Sequence, residues 1–153
     1  MAADEIVSSP RWKVLLVEDV EDAREMYASY LQFAGFDVAT AANGALALVE
    51  VERARPDLIL MDAAMPGLDG WEATRRLKAD PVTAAIPILI LTAHVFEDAR
   101  RRTREVGADG FIDKPCLPDE LVRRIHEVLG EAGRVPRSPK PGRTRRPKRP
   151  PQD

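Results

Sequence analysis

Four short stretches of the sequence carry side chains that can bind a cation or a phosphoryl group, and each follows a short apolar run. They are Glu18-Asp19, Asp62, Thr92 and Lys114. The run before Asp62, residues 58–61, is uninterrupted and is soon followed by turn residues, which is typical of a strand buried on both faces. Because the carboxyl ends of parallel strands meet at one edge of an open sheet, we expect these side chains to converge there.

Three carboxylates at one edge of a sheet repel each other, which raises the pKa of at least one of them. A divalent cation relieves this repulsion, and Mg²⁺ prefers oxygen ligands and commonly bridges carboxylates to phosphate. Asp62 is then a candidate nucleophile that forms an aspartyl phosphate. The Lys114 ammonium can neutralise charge on the transferring group, and the Thr92 hydroxyl can donate a hydrogen bond to one of its oxygens. Ala93 leaves room for the incoming group.

The elements that position these residues alternate regularly between strand and helix. The pattern predicts strands over 13–17, 36–40, 58–61, 86–91 and 110–113. It predicts helices over 23–34, from Asn43 to before Pro56, from Asp69 to about residue 79, over 96–106, and from Pro118 to Gly130. Such alternation predicts an α/β fold with a doubly wound, five-stranded parallel sheet of the flavodoxin-like (βα)5 type.

The length of 153 residues favours one folded domain. We expect residues 1–11 to be a flexible N-terminus, residues 12–130 to fold, and residues 131–153 to be a disordered, basic, proline-rich tail. The net charge of −2 conceals an asymmetry, because residues 134–153 hold eight Lys/Arg and one acid. The other residues hold 15 basic and 24 acidic groups, so the folded part is acidic.

The sequence has one cysteine, Cys116, which cannot form an internal disulfide and fits a reducing compartment. There is no apolar stretch typical of a signal peptide or a membrane span. We therefore expect a cytoplasmic protein without membrane insertion.

In order and in position, the motifs resemble the receiver domain of bacterial two-component response regulators, of the stand-alone, chemotaxis-regulator-like type. The resemblance covers residues 12–130. It rests on Glu18-Asp19, Asp62, the segment Met65-Pro66-Gly67-Leu68-Asp69-Gly70, Thr92-Ala93 and Lys114-Pro115. It implies that a histidine kinase or phosphotransfer protein phosphorylates Asp62, and that the phosphorylated surface signals to a protein partner whose identity is unknown. No second domain follows residue 130, so we expect a single-domain regulator.

The resemblance also implies the ligands of the metal. Asp19, Asp62 and the backbone carbonyl of Ala64 hold Mg²⁺, and Glu18, which is longer than the usual Asp, acts through a metal-bound water. It further implies a cis peptide bond between Lys114 and Pro115.

A third implication concerns switching and phosphate lifetime. Thr92 and Phe111 occupy the family's switch positions. Ala64 and His94 occupy the positions that border the attacking water and tune the lifetime of the phosphate. Because Ala64 is apolar and His94 is an imidazole, the resemblance does not set the length of that lifetime. Simple core packing of Phe111 and an exposed loop position for His94 are the alternative interpretations. Arg100-Arg101-Arg102 and Arg104 form either a solvated helix face or part of the output surface.

Two functions from other classes remain as alternatives. A phosphatase with an aspartyl nucleophile, of the haloacid-dehalogenase-like type, would have a second Asp two residues after Asp62, where this chain has Ala64. A nucleic-acid-binding module would use the basic tail, but cations without interleaved aromatic residues give only salt-sensitive, sequence-independent binding. We therefore expect a phosphoacceptor that catalyses only its own phosphorylation and dephosphorylation, and no nucleic-acid partner.

Overall fold

The computed structural model describes residues 10–93, 96–131 and 138–139. Five parallel strands form one sheet: β1 Lys13–Val17, β2 Asp37–Ala41, β3 Leu58–Asp62, β4 Ile88–Thr92 and β5 Gly110–Asp113. The helices are α1 Glu21–Phe33, α2 Gly44–Ala54, α3 Gly70–Ala79, α4 Phe96–Val106 and α5 Pro118–Glu131. The strand order is β2-β1-β3-β4-β5, so the predicted doubly wound (βα)5 fold is confirmed.

Two hydrophobic layers cover the sheet, because successive strand residues point to opposite faces. Leu15 and Val17 of β1 join one layer, to which α2 contributes Ala47 and Val51 and α3 contributes Leu77. The other layer receives Val14 and Leu16 of β1, together with residues of α1 and α5. Those helix residues are Tyr27, Leu31, Leu121, Ile125 and Leu129. β3 and β4 are buried along their whole length, which makes them a rigid base for the groups at their carboxyl ends.

The predicted helix caps form. The Asn43 side chain accepts a hydrogen bond from Leu46 N at 2.8 Å, and the Asp69 side chain accepts one from Glu72 N at 2.9 Å. These contacts satisfy backbone donors that a helix start leaves unpaired. α2 therefore begins at a fixed position shortly after β2, and α3 begins at a fixed position after the loop that follows β3.

Most elements differ from the sequence prediction by one or two residues at an end; α1, for example, spans Glu21–Phe33 where 23–34 was predicted. β2 begins at Asp37, one residue late, because Phe36 N donates to Leu31 O at 3.0 Å and so completes the end of α1. β4 begins at Ile88, since Ile86 N is taken by a turn bond to Thr83 O. α5 continues to Glu131, beyond the predicted stop at Gly130.

Pro10–Arg11 pairs antiparallel with Ser138–Pro139 beside the amino end of β1. These residues belong to segments expected to be flexible or disordered. The remainder of those segments, residues 1–9, 132–137 and 140–153, lies outside the described residues, so the predicted domain boundaries stay predictions. No helix in the described part of the chain has the length and apolar character needed to cross a membrane.

Candidate functional site

The carboxyl edge of the sheet brings three carboxylates together. Glu18 follows β1, Asp19 is its neighbour, and Asp62 is the last residue of β3. One oxygen from each of these side chains lies within 4.8 Å of the others. Parallel pairing of β3 with β1 and β4 aligns the strand ends, so the convergence expected from the sequence is present.

Asp62 is only 3% exposed and is held by its backbone surroundings. Ala63 N donates to Leu91 O at 2.8 Å, which continues the sheet past Asp62, and Gly70 N donates to Ala63 O at 3.0 Å. A Cβ atom at position 70 would lie 2.0 Å from the carbonyl oxygen of Asp62. Glycine at this position therefore allows α3 to start directly against the Asp62 backbone.

The Glu18 side chain is fully buried and oriented by two contacts. Its Oε2 accepts a hydrogen bond from Val20 N at 3.2 Å, and its Oε1 lies 3.3 Å from Lys114 Nζ. Asp19 is half-buried. The site therefore has a buried interior formed by Glu18 and Asp62, with Asp19 at its solvent side.

Within the part of the chain that the structure describes, Lys114 is the one lysine whose ammonium group contacts this cluster. Its Nζ lies 3.2 Å from Asp62 Oδ1, so it bridges Asp62 and Glu18. Its backbone N donates to Thr92 O at 2.9 Å, and the peptide bond to Pro115 is cis, which confirms that prediction. The backbone hydrogen bond to Thr92 positions Lys114 at the carboxyl edge of the sheet.

The charges of the cluster do not balance. Burial, and then the charge of Glu18, raise the pKa of Asp62 from 3.8 to about 7, although Lys114 acts in the opposite direction. Burial alone would lower the pKa of Lys114, but Asp62 and Glu18 outweigh it and raise that pKa. Three carboxylates face one ammonium, so the site can accept further positive charge. A divalent cation with oxygen ligands fits this donor set.

Thr92 and Ala93 lie at the carboxyl end of β4, with Thr92 buried and Ala93 exposed. Phe111 of β5 is half-buried against the hydrophobic layer under α2 and α3, and its carbonyl accepts a hydrogen bond from Arg124 at 3.2 Å. This position is compatible with both the switch and the core interpretation. Ala64 is exposed beside Asp62, and His94 lies outside the described residues. The predicted roles of these residues stay predictions.

Two residues that position the site were missed by the sequence analysis. Gly70 was recognised only as part of a motif. Arg24 of α1 donates from Nη1 to the carbonyl oxygen of Glu18 at 2.9 Å. No local sequence signal marks the Arg24 contact, because it depends on the path of a long side chain across the loop.

Comparison with known proteins identifies the family. The family model described as the response regulator receiver domain matches residues 14–126. The chain belongs to this family. Receiver domains are signalling phosphoacceptor domains that interact with histidine kinases and bind Mg²⁺ in an acidic cleft. The expectations of a two-component receiver domain and of its fold are therefore confirmed.

Individual relatives refine the comparison. The receiver domain is 44% identical over 120 residues to the phosphate regulon transcriptional regulatory protein PhoB of Pseudomonas aeruginosa, covering 78% of this chain and 52% of PhoB. The chain thus spans about half the length of this curated relative. Chemotaxis protein CheY4 of Vibrio cholerae is 35% identical with a TM-score of 0.74, covering 78% of this chain and 99% of CheY4.

A third relative shows a metal. The receiver domain of sensor histidine kinase PA1611 from Pseudomonas aeruginosa was solved with a magnesium ion coordinated in its active-site cleft. It is 33% identical with a TM-score of 0.72, and the match covers 78% of this chain and 98% of that one. In this chain the acidic cluster of Glu18, Asp19 and Asp62 offers carboxylate oxygens, which are suitable ligands for Mg²⁺.

Proposed function

We propose that this chain accepts a phosphoryl group on Asp62 from a histidine kinase or a phosphotransfer protein. The observation that carries the proposal is the buried carboxylate of Asp62 at the end of the central strand, within 4.8 Å of two other carboxylates and 3.2 Å from Lys114 Nζ. A buried carboxylate that must be ionised to react, next to a fixed ammonium, is typical of an activated nucleophile.

In the proposed reaction a carboxylate oxygen of Asp62 forms a bond to phosphorus. The bond from phosphorus to the donor's nitrogen or oxygen breaks, and the donor keeps the electron pair. Lys114 neutralises charge on the transferring oxygens, and the Thr92 hydroxyl donates a hydrogen bond to one of them. Mg²⁺ held by Asp19, Asp62 and the Ala64 carbonyl, with Glu18 bound through water, would supply further neutralising charge.

We further propose that the chain acts as a single receiver domain whose phosphorylation-dependent surface is read by a protein partner in the cytoplasm. The match over 99% of chemotaxis protein CheY4 supports this form of action. PhoB is named as a transcriptional regulatory protein, and about half of its length lies outside the match. The comparisons therefore give no support to the expectation that nucleic acid is not a partner.

The proposal is tested by incubating the full chain with acetyl phosphate and Mg²⁺ and measuring its intact mass. Wild type should gain one phosphoryl group and Asp62→Asn none. Asp57→Asn is the matched control, because Asp57 is equally buried but lies at the other end of β3, where it accepts a hydrogen bond from Lys13 N. Labelling of Asp62→Asn at the wild-type level would contradict the proposal. Repeated turnover of a chromogenic phosphomonoester would favour the phosphatase instead.

A further inference from the structure

The loop between β1 and α1 carries two of the three carboxylates, yet its geometry is not fixed by an ordinary helix cap. Val20 occupies the N-cap position in an extended conformation and makes no side-chain hydrogen bond. A Ser, Thr, Asp or Asn at this position would bond a backbone N–H of the first turn. The loop that presents Glu18 and Asp19 must therefore be held in another way.

Glu18 N is held by a hydrogen bond to Ala41 O at 3.1 Å, and Arg24 holds the carbonyl oxygen of the same residue. The backbone N of Arg24 donates to Val20 O at 2.8 Å, so Arg24 lies one turn into α1. Its side chain reaches back over the loop, and Nη1 donates to the carbonyl oxygen of Glu18 at 2.9 Å. The guanidinium is rigid, planar and always charged, and a hydrogen bond from a charged donor is stronger than one between neutral groups.

We infer that Arg24 is a positioning residue for the metal site, an inference that rests on the proposed function. The carboxylates of Glu18, Asp19 and Asp62 lie within 4.8 Å and repel each other before a cation binds. An untied loop can relieve this repulsion by moving Glu18 and Asp19 away from Asp62. By holding the Glu18 carbonyl, Arg24 keeps the backbone of both residues in the orientation that binds Mg²⁺.

The positive charge of Arg24 repels Mg²⁺ and weakens its binding, which opposes the gain in affinity from positioning the loop. The two effects respond differently to salt. Raising the ionic strength from about 0.1 M to about 0.5 M shortens the screening length and weakens this repulsion, because Arg24 is still partly open to solvent. A hydrogen bond that fixes the loop is not screened in this way. Positioning therefore predicts that loss of Arg24 weakens Mg²⁺ binding at both salt concentrations.

The test is calorimetric titration of Mg²⁺ into the 153-residue chain at both salt concentrations. Residues that orient metal ligands typically contribute about 10–100-fold to affinity, so Arg24→Ala should raise the Kd for Mg²⁺ by about tenfold. Arg24→Lys should recover to within about threefold of wild type, since an ammonium can donate to the same carbonyl. Arg53→Ala is the control, because Arg53 of α2 is exposed and pairs only with Glu50 among the contacts described for its side chain.

Hydrogen exchange of the Val20 amide gives a second readout, because this N–H bonds the Glu18 carboxylate at 3.2 Å. It should become faster in Arg24→Ala and stay unchanged in Arg53→Ala. Arg24→Met, which keeps the long apolar stem but has no donor, gives the same comparison should the alanine variant fold poorly. A Kd within twofold of wild type together with unchanged Val20 exchange would overturn the inference. Absence of Mg²⁺ binding by wild type would instead overturn the proposed function.

Discussion

Replacing Asp62 with asparagine is expected to stabilise the metal-free fold at alkaline pH. Burial and the charge of Glu18 raise the pKa of Asp62 from 3.8 to about 7. Because this pKa is higher in the folded state than in the unfolded state, the folded state keeps a proton that the unfolded state has lost. The free energy of unfolding of wild type therefore falls as pH rises from about 4 to about 7.

The size of the effect follows from that difference in pKa. One pKa unit corresponds to about 1.4 kcal/mol, so the ionised Asp62 carboxylate costs the fold up to roughly 4 kcal/mol above pH 7. Asparagine has the same shape without the charge, but it loses the ionic part of the contact with Lys114. We therefore expect the stability advantage of Asp62→Asn to grow by about 1–3 kcal/mol between about pH 5 and about pH 8. For a domain of this size, each kcal/mol corresponds to roughly 4 °C in Tm.

The measurement is urea unfolding in the presence of EDTA, followed by tryptophan fluorescence, because Trp71 is only 4% exposed and reports on unfolding. Asp57→Asn is the control, since Asp57 accepts a backbone hydrogen bond at the opposite end of β3 and should show no such gain. Added Mg²⁺ should reverse the order of wild type and Asp62→Asn. An Asp62→Asn variant that is less stable than wild type at alkaline pH, or a gain that does not depend on pH, would refute this account of the site's charge.

Three further predictions concern the metal, the switch and the tail. Mg²⁺ at 100 times its Kd should raise the free energy of unfolding of wild type by about 2.7 kcal/mol. Asp19→Ala should lose most of the resulting rise in Tm. A rise in Tm as large as that of wild type would place the metal elsewhere. A beryllofluoride complex should show Thr92 moved toward the phosphoryl mimic and Phe111 turned inward, whereas unchanged rotamers of both would exclude this switch. Deletion after Gly133 should leave the rate of labelling by acetyl phosphate within about threefold of the rate for the 153-residue chain, since no tail group is expected to contact the reacting atoms. A tenfold loss of rate would mean that the working domain extends beyond residue 133.

Much of the site was predictable because its residues lie at the ends of strongly patterned elements. The apolar run before Asp62 and the signals at Asn43 and Asp69 are local, so each predicts its own element without knowledge of the others. Regular alternation then determines that the strands are parallel and that their carboxyl ends meet. The convergence of Glu18, Asp62 and Lys114 follows from these local patterns and general topology.

What the sequence did not predict depends on contacts in three dimensions. In α2, Leu46 and Val49 are 50% and 62% exposed, whereas Gly44, Ala47 and Val51 form the buried face. A Cβ atom on Gly44 would lie 2.3 Å from Leu68 O, so α2 approaches the loop after β3 closely on this face. The contact of Arg24 with the Glu18 carbonyl depends in the same way on the path of a long side chain across a loop.

The central claim is that Asp62 itself carries the phosphoryl group, and chemical mapping of the modified residue tests it most directly. Borohydride reduces an acyl phosphate but not a free carboxylate, and thereby converts the phosphorylated aspartate to homoserine. After incubation with acetyl phosphate and Mg²⁺, reduction and peptide mass spectrometry should find homoserine at position 62 and at no other acidic position. Homoserine at position 19, 2-amino-5-hydroxypentanoic acid from the glutamate at position 18, or a phosphorylated chain that shows no homoserine at position 62 would contradict the account.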